Sequence, residues 1–385
     1  MIQNSVSAFS DSKPHYPILD GLRGVAAIMV VWYHVFEGYA TSRFDQIINH
    51  GYLAVDFFYI LSGFVIAYAY DSRWNNLKLK DFLARRVIRL QPMVVLGALI
   101  GGLLFYTQGC DWWDVSKVAV AGVVISTVLN MFLIPSTPGF EVRGLGEGFP
   151  LNGPSWSLFF EYIGNLFYGI FMHRFSTKVL AVWTVVLGLM LGGVALFGGN
   201  GDVAYGWQFN TLHFPLGLLR MLFPFSMGLL MFRVVRAGKI NGAFLLGSVL
   251  LVVALAIPRV GTEATVWANG LYDMFAIVLL FPLIVYMGIS GTIKSRAGMS
   301  VCKFLGDISY PLYIVHYPFI YLYIAWVKNN KLPFSESWPG AVAVLLVSVL
   351  IAYVFTRIYD LPVRKYLTSL LKEKPKAEAL ETMVQ

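Results

Sequence analysis

Arg23 and His34 stand eleven residues apart in the stretch LDGLRGVAAIMVVWYH, most of which is apolar. On a helix that spacing returns to within about 20° of one face and separates the two side chains by roughly 16 Å along the axis. An ionisable group inside an apolar span costs on the order of 3 kcal/mol to insert, so each implies a partner or a polar cavity. A neutral imidazole can take the proton from a hydroxyl as that oxygen attacks; it can equally serve as a hydrogen-bond partner between helices.

Further polar groups recur in apolar surroundings. Asp56 opens VDFFYILSGF, either as a helix cap or as a buried acid. Glu161 follows NGPSWSL on a segment whose start is marked by Asn152 as a cap and Pro154 in the first turn, with Ser157 one turn earlier on the same face. Glu161 could act on a substrate or be a buried carboxylate satisfied by Trp156 or a tyrosine, and Ser157 reads more naturally as a backbone-bonded hydroxyl than as a nucleophile. Tyr310, Tyr313, His316 and Tyr317 in ISYPLYIVHYP fall along one stripe, so a polar seam crosses an apolar chain. In DFLARRVIRLQP, Arg85 and Arg89 lie one turn apart with Arg86 beside them. That geometry suits phosphate oxygens, and it also suits the ordinary anchoring of a span to lipid headgroups.

Membrane helices must position these groups. Hydrophobic residues make up 57% of the 385 positions and charged residues only 13%, about half the charged share of ordinary soluble domains. Apolar runs of about twenty residues recur along the chain. The net charge of +8 resides in short loops between them, a positive-inside pattern rather than a nucleic-acid-binding face. The expected class is all-α: a polytopic transmembrane bundle of about ten spans plus one re-entrant segment, with eleven spans as the alternative. Helix one is expected over 18–38 and helix two over 52–70. Basic loops at 73–89, 173–178, 233–239, 294–303 and 364–376 then lie on the cytoplasmic side with the N-terminus. Three apolar segments, at 92–107, 117–134 and 155–172, lie between two such loops, so one of them is expected not to cross. The Gly- and Pro-rich stretch at 135–154 reads as a loop at or dipping into a cavity. The expected organisation is a cytoplasmic segment 1–17, a membrane domain 18–365 and a cytoplasmic tail 366–385. Cys110 and Cys302 fall on opposite sides of this topology, in no metal-ligand spacing.

Five stretches in order resemble motifs of the acyltransferase-3 family of membrane-bound acyltransferases, most of which O-acylate bacterial surface glycans. They are LDGLRGVAAIMVVWYH at 19–34, FFYILSGFV at 57–65, RRVIRLQP at 85–92, WSLFFE at 156–161 and LGDISYPLYIVH at 305–316. One departure is DLPVRK at 360–365, where Asp360 stands in place of the glutamate common in the family. The resemblance implies an acyl-CoA-dependent O-acyltransferase of the bacterial inner membrane, with acetyl-CoA or another acyl-CoA as co-substrate, no metal, and a glycan or lipid-linked glycan as acceptor. It implies that Arg23, His34 and Glu161 are catalytic and that Arg85, Arg86 and Arg89 bind acyl-CoA. Asp20, Asp56, Ser62, Trp156, Ser157, Tyr310 and His316, in or beside the same motifs, are expected to contact substrate or support the site. In that setting His34 would be the base, Glu161 would hold its tautomer, and Arg23 would stabilise the oxyanion or bind CoA. Two rivals predict different behaviour. A proton-coupled transporter using His34, Glu161 and Asp56 would move solute without consuming acyl-CoA, and a membrane scaffold would perform no chemistry.

Overall fold

A computed structural model describes residues 15–136 and 139–371. Thirteen α-helices follow one another among these residues: α1 (Pro17–Glu37), α2 (Ala54–Tyr70), α3 (Leu79–Leu104), α4 (Val120–Met131), α5 (Ser155–Ile170), α6 (Thr177–Phe197), α7 (His213–Val234), α8 (Ala243–Ala256), α9 (Trp267–Phe275), α10 (Phe281–Ser290), α11 (Arg296–Val315), α12 (Tyr317–Asn330) and α13 (Phe334–Phe355). A π-helical turn, Ala276–Leu280, joins α9 to α10, and another, Thr356–Asp360, extends α13 into a helix that runs on to Leu371. The expected boundary at 365 therefore falls inside a continuous helix, while the tail from 372 lies outside the described residues, as does most of the expected N-terminal segment. No strand occurs among the described residues beyond three isolated bridges.

Seven helical runs are long and apolar enough to cross a bilayer, fewer than the ten expected from apolar runs alone. Length explains part of the difference: α4 and α8 have 12 and 14 residues, about 18 and 21 Å against a hydrocarbon core of about 30 Å. In the uncertain region, α4 is thus the short segment. The expected basic loop helix and the span after it form one 26-residue helix, α3, with Pro92 inside it. Burial is inverted relative to a soluble protein. Val182, Val185, Leu189 and Phe197 of α6 and Leu245, Leu246 and Val249 of α8 are exposed, whereas Asp56, Arg220 and Asp273 are fully or almost fully buried. An apolar exterior around polar interior groups suits a lipid solvent.

Helix α1 lies inside the bundle, packed chiefly on α11 and also on α8, α10 and α12. Small residues bring it there. A Cβ at Gly24 would lie 2.5 Å from the Leu305 carbonyl oxygen, so only glycine permits this approach. Gly63 of α2 and Gly228 of α7 do the same for their pair, each Cβ falling 2.0 Å from a backbone oxygen of the other helix. Asn152 does not cap α5: its side chain donates to the Ile314 carbonyl at 2.9 Å, and Pro154 occupies the cap position.

Candidate functional site

Three cavities follow one another through the bundle. The first, about 520 Å³, is lined by Arg23, Arg89, Lys303, Arg357 and Arg364, with Asp307 and Asp360 as its acids. The second is narrow, about 100 Å³, and contains Ser62, Arg86, Ser157 and Glu161. The third, about 570 Å³, holds His34, Glu37 and Glu147 among aromatic walls. Arg23, Arg89 and Tyr310 line both the basic and the narrow cavity, and Val55 and Tyr313 line both the narrow and the aromatic one.

The basic cavity is assembled from α1, α3, α11 and the extension of α13. Arg23 is fixed by Ser309 Oγ at 2.7 Å, the Gly306 carbonyl at 3.2 Å and Asp20 at 3.2 Å. Asp360, on the π-helical turn, pairs with Arg364 at 3.0 Å, so the shorter acid finds its partner one turn along its own helix. Five cationic groups against two acids suit a polyanionic ligand. Of the three arginines of the basic motif, Arg89 faces this cavity and Arg85 lines none of the three. Arg86 turns into the narrow cavity and bonds Glu161 at 2.8 Å, with Ser62 Oγ donating to the same carboxylate oxygen at 2.7 Å. The Arg86 guanidinium is thus paired with a partly buried carboxylate, whereas Arg89 and the α11 and α13 cations face the basic cavity.

Tyr313 forms the wall between the narrow and aromatic cavities. Its hydroxyl bonds Ser157 Oγ at 2.7 Å, and Phe58 packs edge-on against its ring, centroids 5.4 Å apart. Ser157 Oγ also donates to the Pro154 carbonyl. The hydroxyl is thus held by backbone and tyrosine, as a non-nucleophilic serine would be. Tyr310 donates to the Leu90 carbonyl, tying α11 to α3.

His34 Nδ1 lies 2.6 Å from a Glu37 oxygen one turn further along α1. An ionised carboxylate only accepts, so Nδ1 carries the hydrogen and Nε2 is left as the basic nitrogen. Glu161, expected to hold this tautomer, instead serves Arg86 and Ser62; the carboxylate on the imidazole is Glu37. Arg23 lines the basic and narrow cavities, not the one containing His34. His316 stacks on His34 at 5.5 Å and is fully buried, and Tyr317 lies edge-on to His34 at 4.6 Å. Asp56 is neither a cap nor a free acid: Arg220, 164 positions further along the chain, grips both its oxygens, at 2.8 and 3.2 Å. Trp156 lines the aromatic cavity beneath Arg220, 5.3 Å from its ring centroid.

Several of these groups escaped sequence reasoning. Glu37 had a signal, since it follows His34 by three residues; Arg220 had another, a lone cation in the apolar run HFPLGLLRMLFPF that demands a buried acid. Glu147 had none, because it sits in an irregular loop. Among the described residues no group of three or more His, Cys, Asp or Glu side chains could hold a metal ion, and Cys110 and Cys302 are free thiols.

Comparison with known proteins accounts for the motif order. The acyltransferase-3 family profile, described as an acyltransferase domain, matches residues 16–357. Protein 2 in the picA locus of Rhizobium radiobacter is 33% identical over 191 residues, 46% of this chain and 96% of that protein. Acyltransferase MdmB of Streptomyces mycarofaciens is 25% identical over 366 residues, 87% of each chain. O-acetyltransferase OatA of Staphylococcus aureus is 26% identical over 375 residues, 92% of this chain but 58% of that longer protein. No solved structure matches. With a family profile that covers nearly all of its helical bundle, the chain belongs to the acyltransferase-3 family of membrane acyltransferases.

Proposed function

We propose that the protein transfers an acyl group, acetyl foremost, from acyl-CoA to a hydroxyl of a carbohydrate such as a bacterial exopolysaccharide or lipopolysaccharide. The observation that carries this reading is the cavity sequence: a cation-rich chamber, a narrow neck, then a chamber containing a histidine–carboxylate pair. The CoA phosphates occupy the basic cavity against Arg89, Lys303, Arg357 and Arg364, and Arg23 takes the pantetheine end. The thin acyl-pantetheine arm threads the narrow cavity past Glu161 and delivers the thioester to His34. In this reading the basic end faces the cytoplasm of a bacterial inner-membrane protein, consistent with the basic loops.

His34 Nε2 removes the proton of the acceptor hydroxyl as its oxygen attacks the thioester carbonyl, and Glu37 stabilises the imidazolium that forms. Tyr317, beside His34, is our candidate donor to the oxyanion. Collapse breaks the C–S bond, and the departing thiolate takes the proton from Nε2. The products are the ester and CoA thiol, with no net proton released.

The test is release of CoA thiol from acetyl-CoA by the purified protein in nanodiscs with candidate glycan acceptors. Acceptor-stimulated release that falls by about 10²–10⁴ in folded His34→Ala supports the reading. Equal release by wild type and variant, or solute flux without acetyl-CoA consumption, overturns it.

A further inference from the structure

The aromatic cavity differs in chemistry from the basic one. Two of its lining residues, Trp112 and Trp207, remain 43% and 38% exposed while lining the cavity. They come from separate loops, at 105–119 and 198–212, and each is held in place. The Lys328 ammonium sits 3.8 Å from the Trp112 ring centroid, covering one face. Trp207 is anchored through its carbonyl, which accepts from Gly148 N at 3.0 Å, next to a backbone bridge between Glu147 and Gln208. Gly148 allows this approach, since a Cβ there would lie 2.1 Å from the Phe209 ring. Fixed aromatic faces with few polar groups between them are how a pocket takes a flat ligand with polar edges. A pyranose presents axial C–H bonds to the negative face of an indole.

The charge of the wall narrows the ligand further. Glu37 and Glu147 line the cavity, and Glu147 is oriented by the Tyr321 hydroxyl at 2.5 Å. Among the described residues, the one Lys or Arg in the lining is Arg220, whose charge is matched by Asp56. Two other cations lie behind the wall: Lys328 behind Trp112, and Arg143, stacked 3.5 Å from the Tyr321 centroid and bonded to the Pro150 carbonyl and Gln108. Carboxylates at the surface accept from sugar hydroxyls and repel anions.

We infer that Trp112 and Trp207 form the stacking seat for the acceptor ring and that Glu147 selects an uncharged or amino-bearing pyranose over one carrying a carboxylate. This inference rests on the acyl-transfer reading for its function, but binding can be measured apart from transfer. Quenching of tryptophan fluorescence in nanodiscs at pH 8 is read with three probes: methyl glucoside, methyl glucosaminide and methyl glucuronide. The first two should bind about 10-fold tighter than the third. Trp112→Ala and Trp207→Ala should each weaken the glucoside about 10-fold while acetyl-CoA still binds, which reports an intact fold. Glu147→Gln should bring the glucuronide close to the glucoside. Glucuronide binding as tight as glucoside, tryptophan variants without effect, or no saturable binding of any probe overturns the inference. Thiol release measured in parallel separates the two ideas: selective glycoside binding without acetyl-CoA consumption sinks the acyl-transfer reading and leaves the seat standing.

Discussion

His34 and Glu37 lie one helical turn apart on α1, so the geometry of the pair is set within a single rigid element. Glu37→Gln keeps the size and removes the charge that stabilises an imidazolium. Turnover should fall about 10–100-fold with little change in the acyl-CoA KM, because the loss falls on the transition state; steady-state thiol release checks this. Arg86 and Glu161 predict a different phenotype. Each neutralises the other in a narrow cavity, so removing one leaves a charge without its partner. Arg86→Met or Glu161→Gln alone should destabilise by about 3–5 kcal/mol, and the double substitution by much less than their sum. Thermal unfolding in one detergent gives the cycle, and strictly additive losses would show that the pair is not coupled.

At the scale of elements, α11 contributes residues to all three cavities. Lys303, Gly306 and Asp307 meet the basic chamber, Ser309 and Tyr310 the neck, and Tyr313 its far end. Its close packing on α1, through Gly24 against Leu305, sets the offset that aligns these residues with Arg23 and His34. Tyr313 then narrows the passage from the thioester path into the chamber containing the base. Tyr313→Ala should widen that passage and admit water, raising acceptor-independent hydrolysis of acetyl-CoA about 10-fold. Tyr313→Phe, which keeps the ring and loses only the bond to Ser157, should hydrolyse near the wild-type rate. Equal hydrolysis by the two variants would mean that the ring is not a barrier.

Across the whole molecule, charge is segregated: cations gather at one end of the cavity sequence and carboxylates at the other. The loop carboxyl of Glu147 is pushed up to about 7 by burial, against the lowering effects of the Tyr321 hydroxyl and Arg143; Glu141 and Glu37 add to the rise. A carboxyl with a raised pKa is neutral below that value and negative above it. Discrimination against the glucuronide should therefore grow between pH 6 and pH 8. His34 and Arg220 share the cavity, so Glu147→Gln is the control; its discrimination should change less with pH than that of the wild type. A wild-type profile that is flat, or that runs the other way, would remove Glu147 as the selecting charge.

Hydropathy and motif order alone established an all-helical membrane protein with an Arg–His face on its first helix, because both depend on residues near one another in the chain. What only the tertiary structure decided is which polar groups meet. Glu37 took the imidazole and Glu161 took Arg86. Asp56 found Arg220 across 164 residues, and the basic chamber drew on four separate helical segments. Periodicity reports the face of one helix, but a partner depends on the rotation and axial offset between two. Those are set by contacts such as Gly24 on Leu305 and Gly63 on Phe225, which a single sequence does not pair.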